Sequence, residues 1–196
     1  MMRWLFLASV LLVSGSSSPA LASRIVVSAE PNSNVCSLAM TAGVPATVYA
    51  LAALGGDAAA PGIIGAEFRI LGFDPMWAVV SQPNQAQIVD MGDPVGNGCV
   101  LVFGSCQLPS NQIVLLYTMT VIPFTVGSNR IVHVIEHANP TSSSFPCPWM
   151  MLCNQPNETR ICVQGGVSCI NGGAACCTVD PVETTSWSQV KSLFAR

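Results

Sequence analysis

The sequence predicts an all-β protein, an antiparallel sandwich of about nine strands, and three observations carry that expectation. Short segments rich in Val, Ile, Leu, Phe and Tyr recur about every 10–15 residues between clusters of Gly, Pro and Asn. One of them alternates cleanly: Ala66, Phe68 and Ile70 fall on one side, Glu67 and Arg69 on the other, as a strand with one buried and one wet face requires. No long stretch shows a helical repeat until roughly the last dozen residues.

In chain order the strands are expected at 24–29, 35–40, 47–54, 65–71, 78–81, 87–91, 99–103, 113–122 and 130–136. The Gly-Phe-Asp-Pro turn at 72–75 stops the fourth. The tail Ser186 to Phe194 pairs a Ser with a Gln three residues on, a capping-box pattern. Trp187, Val190 and Phe194 then share one side, so a short terminal helix is expected there, docked on the domain or serving as an interaction tail.

The ends and the cysteines set the compartment. Arg3, the apolar run Trp4–Val13 and the small-residue stretch to Ala20-Leu21-Ala22 predict a signal peptide over 1–22, cut before Ser23. Mean hydropathy is high at +0.53. Spanning a bilayer takes roughly 20 consecutive apolar residues, and Gly55-Gly56-Asp57 and Pro61 interrupt one candidate run while Thr118 and Thr120 interrupt the other. No membrane span is expected. Nine cysteines without a C-x-x-C pair, in an exported chain, read as a disulfide framework and not as zinc ligands. The candidates are Cys36, Cys99, Cys106, Cys147, Cys153, Cys162, Cys169, Cys176 and Cys177, and since nine is odd, one must be free, paired between chains, or left over at the adjacent Cys176-Cys177. Cys162 to Cys169, with Gly165-Gly166 between, reads as a hairpin that sets those two cysteines opposite each other. Cys147–Cys153 and Cys99–Cys106 are local pairings of equal plausibility. The expected division is a sandwich over 23–140, a Cys-rich extension packed on it over 141–178, and a tail over 179–196.

Charged residues are 9% of the chain and the net charge is -3, which leaves no basic field for nucleic acid. Several motifs invite chemistry. His133-Val134-Ile135-Glu136-His137 matches the inverted zinc-protease pattern, which needs both imidazoles on one helical face with the Glu beside the metal-bound water. Its Ile and Val content favours a strand instead, which holds the two histidines about 13 Å apart. A zinc-dependent hydrolase through His133, Glu136 and His137 is therefore a rival and not the main expectation, and no cofactor is expected. Asp74, Asp90 and Asp93 offer oxygen ligands that calcium could use, but not at EF-hand spacing. Glu67, Asp74, Asp90 and Glu136 are available for glycosidase chemistry with no pair singled out. Trp77, Trp149 and Tyr49 could stack on sugars if exposed. Asn157-Glu158-Thr159 is a glycosylation sequon, and Cys176-Cys177 reads as two framework cysteines with separate partners.

The run from Gly62 to Pro75, followed by a Val-Val strand and later by Val114-Leu115-Leu116-Tyr117-Thr118-Met119-Thr120-Val121, resembles the cohesin-type sandwich over about 100 residues. That resemblance implies a nine-stranded, jelly-roll-like sandwich used for binding, without catalysis. The segments His137-Ala138-Asn139-Pro140 and Phe145-Pro146-Cys147-Pro148, with the ending Thr185 to Arg196, resemble uncharacterised exported proteins of environmental bacteria. The main expectation is a secreted, non-enzymatic binding or structural module for an extracellular protein or polysaccharide. An envelope or surface assembly protein, joined through the odd cysteine or the Trp187 tail, is the third.

Overall fold

The computed structural model describes residues 23–55, 58, 61–127, 129–141, 146–153 and 159–172. The expected signal peptide, the sequon asparagine, Cys176, Cys177 and the terminal helix with Trp187, Val190 and Phe194 lie outside them.

All nine expected strands are present: β1 (Arg24–Ser28), β2 (Ser37–Leu38), β3 (Ala46–Ala53), β4 (Ile63–Leu71), β5 (Ala78–Pro83), β6 (Gln87–Asp93), β7 (Gly98–Gln107), β8 (Ile113–Ile122) and β9 (Arg130–Ile135). Four more follow: β10 (Trp149–Leu152), β11 (Thr159–Cys162), β12 (Gln164–Gly165) and β13 (Val167–Ile170). They form two sheets. The first runs β12-β1-β3-β8-β5; the second runs β11-β10-β4-β9-β13-β2, with β7 on β4 and β6 on β7.

The second sheet forks at β4. Gly65 pairs with Val102 of β7 and with Met151 of β10, so those strands lie on opposite edges. Further along, Arg69–Leu71 pair with β9, which takes over from β10. Residues 149–170 thus supply strands to both sheets. The inner faces bury Phe68, Ile70, Leu101, Leu116 and Ile25 at 0% exposure, and Phe68 meets Tyr117 edge-on at 6.2 Å between ring centroids. Each such buried aliphatic or aromatic side chain contributes about 1.5–3 kcal/mol.

The alternation of β4 holds, but its second face is not wet. Glu67 is 1% exposed, and its carboxylate accepts bonds from the Thr141 N–H at 3.1 and 3.2 Å and from the Thr141 hydroxyl. The segment after β9 folds back over this face and satisfies the carboxylate, as a buried charge requires.

The expected hairpin at 162–169 does not form. β12 pairs in parallel with β1, and β13 pairs with β9 and β2, so the chain crosses from one sheet to the other at Gly166. Gly165 serves close approach and not a turn, since a Cβ there would lie 1.7 Å from the Val134 carbonyl oxygen. The hairpin of this region is β10–β11.

The cysteine pairing changes with it. The bridges are Cys106–Cys153 and Cys147–Cys162, while Cys36 and Cys169 are also disulfide-bonded. Cys162 stands opposite Trp149 on β11, two residues from Cys147, and not opposite Cys169. Cys147 and Cys153 flank the extended β10, and Cys99 and Cys106 share β7. Six or seven extended residues span about 20 Å or more, too far for either local bridge. Cys99 is the free cysteine among the described residues, and it is buried.

Candidate binding surface

The sequence singled out residues that the fold scatters. The His133–Ile135 part of the zinc-protease motif is strand β9, with His133 opposite Leu71 and Val167. His137 lies beyond the strand, its ring packed where a Cβ on Gly98 would fall and its Nδ1 accepting the Asn139 N–H at 3.0 Å. The helical geometry that zinc chemistry through His133, Glu136 and His137 requires is not there. Among the described residues, no group of three or more His, Cys, Asp or Glu side chains converges on a point.

The three aspartates part company. Asp74, at the β4–β5 turn, accepts the Met76 N–H at 3.0 Å and pairs with Arg130 at 2.9 Å. The Met76 N–H and then the guanidinium hold its carboxyl below the ordinary value, against partial desolvation. Asp90 and Asp93 lie on β6, away from it. The sugar-stacking candidates fare no better: Trp77 is 6% and Trp149 2% exposed, lying under the guanidinium groups of Arg130 and Arg160 at 5.3 and 4.9 Å. Tyr49 is half-buried in β3. Buried rings offer no face to a sugar.

What the fold does present is a surface and an open side. On the outer face of the second sheet, Val89 pairs with Val102 and Met91 with Val100. A register shift between Gln87 and Val89 throws Ile88 outward to 71% exposure, and Met91 is 56% exposed. This apolar face ends at β6, which pairs with β7 and with no other described strand.

On the inner side of the same edge the chemistry turns polar. β5 and β6 are the edge strands of their two sheets, and a cavity of about 180 Å³ opens between them, lined by Val79, Ser81, Asp90, Gly92, Asp93 and Tyr117. The Tyr117 hydroxyl donates to Asp90. Burial pushes the Tyr117 phenol far above its ordinary range, and the neighbouring Cys99 and Asp90 add to that. The Cys99 thiol is likewise pushed up by burial, against a hydrogen bond with Tyr117 that pulls the other way. Ser81 Oγ is buried and has no hydrogen-bond partner. Asp93 caps the β6–β7 turn by accepting the Val95 N–H at 3.0 Å. Sequence reasoning named Asp90 and Asp93 but missed the seam, because nothing local says that β5 and β6 end up as facing edges.

A second hollow, of about 450 Å³, lies at the Ser23 and Gly55 end of the sandwich between Leu152, Ile161 and Val163. Its lining is mainly apolar and carries no ionisable side chain.

No protein-family model and no curated protein matches the chain. Among solved structures, it is similar to the seventh ScaB type I cohesin from Pseudobacteroides cellulosolvens, at 9% identity and a TM-score of 0.48, covering 78% of this chain and 94% of that one. It is also similar to a chain of the CaDoc0917–CaCohA2 complex, at 12% identity and a TM-score of 0.44, covering 77% and 99%. The similarity is one of strand layout.

Proposed function

We propose that this chain is an exported, non-enzymatic recognition module whose partner is a protein. The observation that carries the reading is the apolar outer face of β6 and β7, where Ile88 and Met91 stand exposed beside the cross-strand pairs Val89–Val102 and Met91–Val100. Exposed apolar surface of this kind marks interaction sites, and here it lies on paired strands. The bridges Cys106–Cys153 and Cys147–Cys162 support export, since such bonds persist in oxidising compartments. No helix among the described residues is long and apolar enough to cross a membrane. A glycan partner loses support with Trp77 and Trp149 buried, a zinc hydrolase with His133 on a strand, and cross-linked assembly through Cys99 with that thiol inside the core.

The test uses the purified protein as immobilised bait against exported proteins of its own source. Met91→Asp should lose specific capture, while Thr47→Asp, on the exposed face of β3 in the other sheet, should keep it. Equal capture by both variants would remove the face from consideration.

A further inference from the structure

We propose that the edge of β6 away from β7 takes an extended segment of the partner protein as an added strand, with a lysine or arginine entering the seam beside Asp90 and apolar residues flanking it. The proposal rests on the reading of the apolar face as a protein-docking surface and names what docks. β6 offers seven residues of strand and pairs along one edge with β7. Among the described residues no second strand pairs with it, and such an edge is a template for strand addition.

The register then dictates the partner's pattern. Asp90 pairs with Leu101, whose side chain is in the core, while Val89 and Met91 pair with the outward Val102 and Val100. A residue opposite Asp90 on an added strand shares its inner face and points into the seam, and its two neighbours share the outer face with Val89 and Met91. The seam holds the carboxylates of Asp90 and Asp93, the Ser81 hydroxyl oxygen with no partner, and the Tyr117 hydroxyl. Oxygen acceptors around a cavity of about 180 Å³ suit a basic side chain, whereas the outer face suits Val, Ile or Met. Charge complementarity thus selects an apolar–basic–apolar strand.

A second copy of this chain fits poorly. Antiparallel self-pairing centred on β6 sets Asp90 against Asp90, and like charges directly opposite are destabilising.

The probe is an acetylated, amidated Thr-Val-Lys-Val-Thr peptide, titrated into the full exported chain while backbone amide NMR shifts are followed. Saturable shifts confined to β6 and the seam are expected, weakened by added salt. Asp90→Asn keeps an acceptor for Tyr117 and should weaken binding about fivefold, the upper range for one partly exposed ion pair. A Thr-Val-Lys-Val-Thr peptide N-methylated at every residue, which can donate no backbone hydrogen bond, and a Thr-Val-Glu-Val-Thr peptide test pairing and charge separately, and both should bind more weakly. Equal binding of the Glu peptide, an unchanged affinity at Asp90→Asn, saturation of the seam by calcium chloride that displaces the peptide, or a dimer broken by Ile88→Lys would each overturn the proposal. In the capture assay, loss at Met91→Asp with full retention at Asp90→Asn overturns strand addition and leaves the docking face standing. Retention in both overturns the docking face as well.

Discussion

Removing the two described disulfides one at a time should cost different amounts, and the difference follows from chain length. Cys147–Cys162 closes a separation of 15 residues and Cys106–Cys153 one of 47. In the chain-entropy treatment the constraint on the unfolded state grows with the logarithm of the closed loop. For the shorter loop it amounts to about 3 kcal/mol at 25 °C, and for the longer about 4 kcal/mol. The Cys147→Ala/Cys162→Ala double variant should therefore lose about 3 kcal/mol and Cys106→Ala/Cys153→Ala about 4 kcal/mol. Urea unfolding followed by far-UV circular dichroism measures both, with the slope against denaturant checking that the unfolded state expands when the longer loop opens. The shorter bridge joins the hairpin β10–β11, already zipped from Trp149 to Leu152, so any structure left in its unfolded chain widens the gap further. A larger loss from the 15-residue bridge, or a loss well under 1 kcal/mol from either, would refute the assumption that these bonds act by restricting the unfolded chain.

Four further outcomes can be measured. Cys99 should resist a thiol reagent in the native protein and react in denaturant, with peptide mapping identifying the site; native labelling would contradict its burial. Because folding raises the Cys99 and Tyr117 pKa values above their ordinary 9.0 and 10.0, the unfolded chain gives up those protons first. Their contribution is fully present below about pH 9 and drains as pH rises; Cys99→Ala and Tyr117→Phe should each flatten the alkaline loss of stability. At the Ser110–Ile113 turn, Asn111 and Gln112 have φ of 50° and 65°, the left-handed pair of a type I′ turn. Gln112→Gly relieves that conformation and should raise stability by about 1 kcal/mol, read as an upward shift of Tm. Phe68→Ala, in the packed core against Tyr117, should cost about 3–5 kcal/mol and leave no folded protein in moderate urea.

The strands of the first 140 residues were legible because each is a local pattern. Ile113–Ile122 is so rich in β-branched and aromatic residues that its predicted and observed ends coincide. Glu67 was misread because its covering comes from Thr141, a residue 74 positions away, and period-two alternation cannot see across that distance. Gly165-Gly166 was misread for a different reason. Turn chemistry and close backbone approach both select glycine, and only the position of Val134 tells them apart. The cysteines followed suit, since their partners depend on which strands cross. The candidate surface was the least legible part: Ile88, Met91 and Asp90 look unremarkable in sequence, and their meaning comes from β6 ending a sheet.

The crossing at Gly166 has a consequence for the order of events in the life of the chain. β12 lines the edge of β1, near the start of the described fold, and β13 sits between β2 and β9, so segments made early wait for segments made much later. A nascent chain lacking residues 159–170 leaves both sheets with open borders and Cys147 without its partner. Such a chain stays unlocked until residues 159–170 have emerged, so its two sheets close together and not one after the other.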